Sequence, residues 1–311
     1  MKAIVINEYG SKDVLQEQEF EKPTPKDGQV IVKVHATSIN PIDWKLREGY
    51  LKDMVPFDFP IILGWDAAGV IDEVGEGVTD FQVGDKVFAR PELTNRGTYA
   101  EYTAIDAHLL AKIPDNVSFE EAAATPLTAL TAYQCLFEHG NVKEGDKVLV
   151  HAGSGGVGSF AIQLAKNAGA YVATTCSTKN VDLVKDLGAD EVIDYTKENF
   201  EEVLSDYDFV LDTLGGEIQE KSYQILKSGG ELATVASPPQ EEKANKHKVK
   251  AFFVWLEPKG EQLKQIAKQM EEGKLKVIIG HHFPLTQKGL QDAHELSETH
   301  HAKGKIVINV I

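Results

Sequence analysis

The chain has 311 residues, of which 32 are Lys or Arg and 48 are Asp or Glu, so its formal net charge is −16. Hydrophobic residues make up 42% of the chain, which argues against disorder, and the length allows two domains with a core each. Binding to nucleic-acid phosphates or to an anionic membrane requires a basic excess, so we expect neither partner. Cys135 and Cys176 are too few for a disulfide framework, and no apolar run suits a signal peptide or a membrane span, so we expect a cytoplasmic protein.

The first part of the chain predicts a compact β-barrel or sandwich. Short runs rich in β-branched residues are separated by glycine, proline and aspartate, as is typical of strands joined by turns. The predicted strands lie at residues 30–34, 68–71, 86–88 and 99–103. Closely spaced glycines between them indicate tight turns.

From about residue 121 the pattern changes to apolar strands that alternate with amphipathic helices. The predicted strands are centred on Leu149, Ala173, Ile193, Leu211, Leu232 and Phe253. The intervals of 18 to 24 residues between consecutive centres leave room for a crossover helix each time. We therefore predict parallel βαβ units in a doubly wound sheet. Residues 285–311 predict a further helix and a last strand.

The most specific motif is the glycine-rich segment 153–158, which reads Gly-Ser-Gly-Gly-Val-Gly. It follows a predicted strand and opens a helix with an apolar stripe. In such a motif Gly153 permits a tight turn, Gly155 lets a pyrophosphate approach the backbone, and Gly158 lets helix and strand pack closely. The motif in this context predicts dinucleotide binding, with a purely structural glycine turn as the alternative.

The end of the second predicted parallel strand bears on the choice of dinucleotide. A carboxylate there would bind the ribose 2′-hydroxyl of NAD. The chain instead continues with Ser177, Thr178 and Lys179, and the first acid is Asp182. Because a hydroxyl and an ammonium suit a 2′-phosphate, the segment favours NADPH over NADH. The alternative is an ordinary polar loop.

Several motifs in order along the chain resemble those of the medium-chain dehydrogenase/reductase superfamily, and within it the zinc-free quinone oxidoreductase and enone reductase branch. They are segments 40–45, 64–71, 74–75, 83–87, 153–158 and 302–307. The resemblance covers essentially the whole chain. It implies an α/β protein with a GroES-like β-barrel catalytic domain at residues 1–120 and 285–311. It also implies a Rossmann domain, a doubly wound parallel sheet that binds NADP, at residues 121–284, and commonly a homodimer.

The positions of zinc ligands in related alcohol dehydrogenases hold other residues here. Those enzymes have a cysteine where this chain has Asn40, a histidine where it has Trp65, and a further cysteine near Leu127 or Thr128. An amide and an indole cannot replace these ligands, and a structural zinc site would need four cysteines. We therefore expect no metal site.

The missing ligands constrain the reaction. An alkoxide formed from a simple ketone needs a Lewis acid, whereas the enolate or phenolate-like oxygen formed from an enone or a quinone can be stabilised by hydrogen bonds. We therefore expect NADPH-dependent hydride transfer to a quinone or an α,β-unsaturated carbonyl. The alternative is a non-catalytic NADPH-binding or stress-interaction protein.

The resemblance also implies roles for individual residues. In the catalytic domain, Asn40 would donate its amide to the substrate oxygen, Tyr50 would be a donor or an aromatic wall, and Trp65 would be a flat apolar wall. The alternatives are a turn-stabilising Asn40 and simple packing of Tyr50. Asp43 and Arg47, four residues apart, are expected to form an ion pair.

The residues that the resemblance places against the cofactor are more numerous. Thr131 would lie near the carboxamide, and Gly155, Gly156 and Val157 at the pyrophosphate. Ser177, Lys179 and Tyr195 would bind the adenosine 2′-phosphate. Leu214, Ser237 and Phe253 follow or end the fourth, fifth and sixth strands, at the carboxyl edge where ligands bind in such sheets. Lys305 would reach the nicotinamide side or, alternatively, lie solvated at the surface.

Overall fold

The structure is a computed structural model that describes residues 1–311. The chain forms two compact units. The first consists of residues 1–127, 258–273 and 277–311, and the second of residues 128–257 and 274–276. No helix is both long enough and apolar enough to cross a membrane.

The elements follow one another along the whole chain. The strands are β1 (Lys2–Ile6), β2 (Gln16–Glu19), β3 (Gln29–Ile39), β4 (Ile61–Ile62), β5 (Ala67–Val74), β6 (Lys86–Ala89), β7 (Tyr102–Asp106), β8 (Leu110–Lys112), β9 (Lys147–Val150), β10 (Tyr171–Cys176), β11 (Glu191–Asp194), β12 (Tyr207–Asp212), β13 (Leu226–Thr234), β14 (Lys250–Phe253), β15 (Ile279–Pro284) and β16 (Lys305–Asn309). The α-helices are α1 (Pro41–Arg47), α2 (Phe119–Ala123), α3 (Pro126–Tyr133), α4 (Gly156–Asn167), α5 (Val181–Asp186), α6 (Phe200–Val203), α7 (Gly216–Ile225), α8 (Glu241–Lys246), α9 (Gly260–Glu271) and α10 (Gln287–Glu298).

The first unit is built mainly from antiparallel strands. A seven-stranded sheet has the order β15-β16-β3-β5-β6-β8, with β7 also paired to β3, and a three-stranded sheet has the order β2-β1-β4. Strand β3 is long enough to pair with β7 through its first half and with β16 through its second half, while β5 pairs along its other edge. The β-rich character predicted for this part of the chain is confirmed.

The second unit contains a six-stranded sheet in which every strand pair is parallel. Its order is β11-β10-β9-β12-β13-β14, the doubly wound order of a Rossmann sheet. The six strand centres predicted from the sequence lie one in each of β9 to β14. Because all six strands are parallel, their carboxyl ends lie at the same edge of the sheet.

The boundaries of the two units differ from the expected domain boundaries. Residues 121–127, 258–273 and 277–284, expected in the second domain, belong to the first unit. Strand β15 pairs in parallel with β16 and so joins the first sheet, where α9 packs against β8. Strand β15 is an edge strand whose side chains are half-buried or exposed, so it lacks the apolar run that would reveal it in the sequence.

Candidate functional site

The glycine-rich loop of the second unit joins β9 to α4. The turn spans residues 151–154 and so includes Gly153 as expected, and its left-handed residue is Ala152, with φ of 51°. Helix α4 begins with Gly156 and Val157, and Gly155 is its N-cap. The first N–H groups of a helix have no partner within the helix and lie at its positive end. This helix end can therefore bind an anion such as a pyrophosphate.

The three motif glycines have different functions in the loop. A Cβ on Gly153 would lie 2.1 Å from Thr174 Oγ1, and one on Gly158 would lie 2.3 Å from the Ala152 carbonyl oxygen. These two glycines are needed for packing within the protein. A Cβ on Gly155 would meet only the Ala152 carbonyl oxygen, at 3.3 Å. The backbone at Gly155 is thus open to close approach, and the loop fits a dinucleotide.

Three further predicted cofactor residues lie at the carboxyl ends of neighbouring strands. Leu214 follows β12 and is about half exposed, Ser237 follows β13, and Phe253 ends β14. The Asp212 carboxylate accepts hydrogen bonds from the N–H groups of Leu214 and Gly215, at 2.9 and 2.8 Å. Asp212 therefore holds the turn that carries Leu214. Since β12 lies beside β9, this row of residues continues from the glycine loop along one sheet edge.

The residues predicted to bind a 2′-phosphate lie beyond the ends of β10 and β11. Cys176 pairs with Asp194 at the ends of these strands, so Ser177 and Tyr195 follow neighbouring positions. Lys179 and Tyr195 are exposed, and Lys179 Nζ has no carboxylate oxygen within 4.0 Å. The structure thus brings a hydroxyl, a phenol and an unpaired ammonium to one corner of the sheet.

Sequence reasoning missed an acid at this corner, Asp194. Its carboxylate accepts hydrogen bonds from the hydroxyls of Thr178 and Thr196, and Lys197 Nζ lies 2.9 Å from it. These donors, the Thr178 hydroxyl foremost, hold the pKa of Asp194 well below its usual range. Asp194 is the last residue of β11, so the residues that follow β10 in the sequence do not include it. The Asp194 carboxylate is already bound by hydroxyl donors and by the Lys197 ammonium. Lys179 therefore remains available to a ligand.

The two remaining predicted cofactor residues lie in different units. Thr131 is buried in α3 and belongs to the second unit, as does the glycine loop. Lys305 begins β16 and belongs to the first unit. It is buried, so the alternative of a solvated surface lysine is wrong.

In the first unit, a buried polar group surrounds Asn40. Asn40 Nδ2 donates to Asp66 Oδ2 at 2.7 Å, and Lys305 Nζ donates to Asn40 Oδ1 and to the Ile39 carbonyl oxygen. Lys305 Nζ also lies 3.5 Å from Asp66 Oδ2. The exposed fractions of Asn40, Asp66 and Lys305 are 4% or less. The Asn40 amide is therefore fixed in orientation, and one of its two N–H hydrogens has no protein acceptor.

A chain of hydrogen bonds leads away from Asn40, and sequence reasoning did not predict it. Asp43 Oδ2 accepts from the Asn40 backbone N–H at 2.7 Å and from the Tyr99 hydroxyl at 2.8 Å. The Tyr99 oxygen therefore accepts from His294 Nε2 at 3.2 Å, and His294 Nδ1 accepts from Arg47 Nη1 at 3.1 Å. This pattern needs a neutral imidazole, in agreement with the burial that lowers the pKa of His294 to about 3. Burial also raises the pKa of Asp43 to about 7.

The ion pair expected between Asp43 and Arg47 does not form. The buried Arg47 guanidinium binds Glu298 at 2.8 Å and Glu48 at 2.7 Å, and its Nε donates to the Gly10 carbonyl oxygen at 3.0 Å. The Asp43 carboxylate instead accepts from the backbone at the start of α1, as in a capping box. The four-residue spacing therefore predicted the wrong partner for Arg47, because Glu298 and Gly10, which are distant in the sequence, bind its guanidinium.

The two aromatic residues predicted at the substrate site have opposite environments. Tyr50 is 70% exposed and makes an edge contact with Trp44, with ring centroids 6.4 Å apart. Trp65 is fully buried in an apolar cluster, 6.5 Å from the Phe57 ring, and its Nε1 has no hydrogen-bond partner. Tyr50 is thus accessible to a ligand, whereas Trp65 is a core residue and offers no exposed wall to a substrate.

The residues at the zinc-ligand positions do not fit a catalytic zinc ion. The Asn40 amide is already bonded to Asp66 and Lys305, and Trp65 offers no lone pair for a metal. The buried ammonium of Lys305 would also repel a divalent cation placed beside Asp66.

Comparisons with known proteins find similarity to dehydrogenases and reductases along the whole chain. The alcohol dehydrogenase GroES-like domain family matches residues 26–115, and the zinc-binding dehydrogenase family matches residues 187–308. The chain is 39% identical to 2-methylene-furan-3-one reductase of Solanum lycopersicum, over 100% of this chain and 79% of the relative. It is 37% identical to the chloroplastic NADPH-dependent alkenal/one oxidoreductase of Arabidopsis thaliana, over 99% of this chain and 79% of the relative.

Solved structures give the same result. The quinone oxidoreductase from Coxiella burnetii superposes with a TM-score of 0.93 at 36% identity. The match covers 100% of this chain and 99% of that one. The fold predicted from the sequence, a GroES-like domain together with a Rossmann sheet, is confirmed.

Proposed function

The chain belongs to the medium-chain dehydrogenase/reductase superfamily, within its quinone oxidoreductase and enone reductase branch, and on that basis we propose that it is an NADPH-dependent oxidoreductase. Its substrate is a quinone or an α,β-unsaturated carbonyl compound. The observation that carries this proposal is the open glycine loop at the carboxyl edge of the parallel sheet, which fits a dinucleotide. Similarity to an enone reductase and to a quinone oxidoreductase supports the substrate class.

The residues of the second unit hold the cofactor, which supplies the hydride when bound. The N–H groups at the start of α4, at Gly156 and Val157, bind the pyrophosphate. The open corner at Ser177, Lys179 and Tyr195 binds the 2′-phosphate, which supports NADPH over NADH. The row along the sheet edge positions the rest of the cofactor, with residues Thr131, Leu214, Ser237 and Phe253.

The residues of the first unit act on the substrate. Hydride addition leaves negative charge on the substrate oxygen, and an oriented N–H donor stabilises that charge. The amide hydrogen of Asn40 that has no protein acceptor is that donor, and Asp66 and Lys305 hold it in position. Tyr50, the exposed aromatic residue, stacks on the planar substrate, and Trp65 supports the region from the core.

We propose further that the reaction is independent of zinc, since the residues at the ligand positions do not fit the ion. Activity is expected to survive dialysis against a chelator, and metal analysis is expected to find no stoichiometric zinc. Loss of activity that only added zinc restores would contradict this proposal.

We propose a homodimer located in the cytoplasm. Strand β14 pairs with β13 only, so it is an edge of the parallel sheet and can pair with a second copy. Light scattering on the purified chain is expected to give twice the monomer mass of 34.2 kDa.

The experiment that tests the function follows NADPH absorbance with a panel of quinones and short enones. Turnover of at least one compound, with a lower KM for NADPH than for NADH, is expected. Tight NADPH binding without turnover of any compound would favour a binding protein instead.

A further inference from the structure

The chain has three buried lysine or arginine side chains, Arg47, Arg90 and Lys305. Arg47 pairs with Glu298, and Lys305 lies near Asp66. Arg90 is only 3% exposed, yet no carboxylate oxygen lies within 4.0 Å of its guanidinium. A buried charge without a direct ion-pair partner is costly, so an anion that binds this guanidinium would stabilise it.

The unused edge of Arg90 has the geometry of an oxyanion site. Nη1 donates to the Pro91 carbonyl oxygen at 2.7 Å. Nε is buried without a hydrogen-bond partner, and Nη2 donates to no protein acceptor. Nε and Nη2 are the parallel pair through which arginine binds a carboxylate or phosphate with two hydrogen bonds.

Strand pairing places Arg90 close to the polar group around Asn40. Ala89 at the end of β6 pairs with Ala67 at the start of β5. The next position of this antiparallel pair brings Arg90 opposite Asp66, which accepts the hydrogen bond from Asn40 Nδ2. An anion bound to Arg90 would therefore lie beside the residue that we assign to the substrate oxygen.

The carboxylates of Asp66, Glu92 and Asp43 attract the charge of Arg90 without direct contact. Lys305 offsets Asp66, and Glu92, the next acid along the chain, is exposed. Burial raises the pKa of Asp43 to about 7, so that carboxyl carries only part of a negative charge at neutral pH. No protein carboxylate therefore pairs directly with the Nε and Nη2 edge of Arg90.

We propose that Arg90 binds a carboxylate of the substrate, so that this enzyme prefers enones or quinones that carry a carboxylate group. This inference rests on the proposed function and narrows its substrate class. A neutral enone would leave the Arg90 edge unpaired in the complex, whereas a carboxylate would receive two charge-assisted hydrogen bonds.

The test compares 4-oxo-2-pentenoate with its methyl ester, two compounds that share one enone and differ in charge. The wild-type chain is expected to have the higher kcat/KM for the acid. Arg90→Met is expected to lower the ratio of acid to ester by about tenfold or more, because it removes both hydrogen bonds and the charge. Arg96→Met, at an exposed arginine of the same loop, is the matched control and should leave the ratio unchanged.

A binding measurement separates this inference from the proposed function. Levulinate, the saturated product of the acid, is titrated by calorimetry into wild-type and Arg90→Met protein saturated with NADPH. Weaker levulinate binding to the variant supports the carboxylate site, whether or not either enone is turned over. Absence of turnover with both enones would overturn the proposed function and leave the carboxylate site standing. Arg90→Lys, which keeps the charge but lacks the parallel N–H pair, replaces Arg90→Met if circular dichroism shows that the latter is unfolded.

Two results would overturn the inference. One is a folded variant with an unchanged acid-to-ester ratio and unchanged levulinate affinity, which would leave the proposed function intact. The other is an unchanged ratio together with an increased dissociation constant for NADPH, which would assign the Arg90 anion to the cofactor.

Discussion

At the scale of single residues, His151 shows how burial fixes a protonation state. Its Nε2 donates to Ser222 Oγ at 2.9 Å, because the Ser222 hydroxyl itself donates to the Ile218 carbonyl oxygen. Nδ1 then accepts from the Thr175 hydroxyl at 3.2 Å. A protonated ring would lose this acceptor, and burial lowers the pKa of His151 to about 4.

His151 is therefore expected to make the fold sensitive to acid. The unfolded chain has a histidine pKa of about 6.5, so it binds more protons than the folded chain between that value and about 4, and stability falls as pH falls. The contribution lost between about pH 8 and pH 5 is roughly 2 kcal/mol. Urea unfolding of wild type and His151→Gln at these two pH values measures it. The variant should lose less stability on acidification; equal losses would contradict the assignment.

Lys179 is expected to discriminate between the two nicotinamide cofactors. It is the exposed ammonium at the corner assigned to the 2′-phosphate, and Asp194 does not neutralise it because Asp194 is bound by other donors. Lys179→Met should raise KM for NADPH by about three- to tenfold, the range of an exposed charge-assisted contact, and leave KM for NADH unchanged. Lys185→Met, in the following helix, is the control. An equal increase for both cofactors would place the lysine elsewhere on the dinucleotide.

The sequence indicates the glycine loop more directly than the hydrogen-bonded group around Asn40. A glycine loop is a local pattern, because its strand, turn and helix are contiguous in the chain. The group around Asn40 joins Asp66 and Lys305, which come from segments far apart in the chain. Neither spacing nor periodicity indicates such partners. The family resemblance identified Asn40 as a site residue, but it did not predict the hydrogen bonds that fix the orientation of its amide.

At the scale of elements, the β9–α4 connection depends on two glycines for different reasons. Gly158 is in the first turn of α4, where a methyl group would lie 2.3 Å from the backbone oxygen of Ala152. Gly155 has extended backbone geometry and room for a methyl group. Gly158 is thus needed for close packing of α4 on the loop, whereas Gly155 leaves the space that we assign to the cofactor.

This difference predicts opposite effects of two alanine substitutions. Gly158→Ala should destabilise the protein by about 1–3 kcal/mol, since α4 must move away from the loop. Gly155→Ala should change stability by less than about 1 kcal/mol but weaken NADPH binding by about tenfold, because the methyl group occupies the approach to the pyrophosphate. Thermal unfolding and fluorescence titration with NADPH measure the two effects. Equal loss of stability in both variants would contradict a ligand role for Gly155.

The elements also differ in how well the sequence indicated them. Strands β9, β10 and β12 are mostly buried, as expected where both sheet faces are covered. Strands β11, β13 and β14 are partly polar, and the regular spacing of strand centres indicated them. Strand β15 was missed because it is a polar edge strand, and its partner β16 is separated from it by α10. Partner choice between sheets is a tertiary property, so the unit boundaries could not be read from alternation of strands and helices.

At the scale of the whole molecule, the net charge of −16 opposes the approach of an anionic cofactor. The sites that we assign to the cofactor, the N-terminus of α4 and Lys179, act only over short distances. Long-range repulsion should therefore slow association, while local contacts determine how long the cofactor stays bound.

This balance predicts an unusual salt dependence for NADPH association. Raising the ionic strength from about 0.01 M to about 0.15 M shortens the Debye length from about 30 Å to about 8 Å, which screens the overall repulsion. The association rate constant, measured by stopped-flow fluorescence, should rise by roughly two- to fivefold. Lys179→Met should show the same rise with salt but a faster dissociation. A rate constant that falls with salt would mean that the local positive potential already dominates the approach of the cofactor, in spite of the net charge.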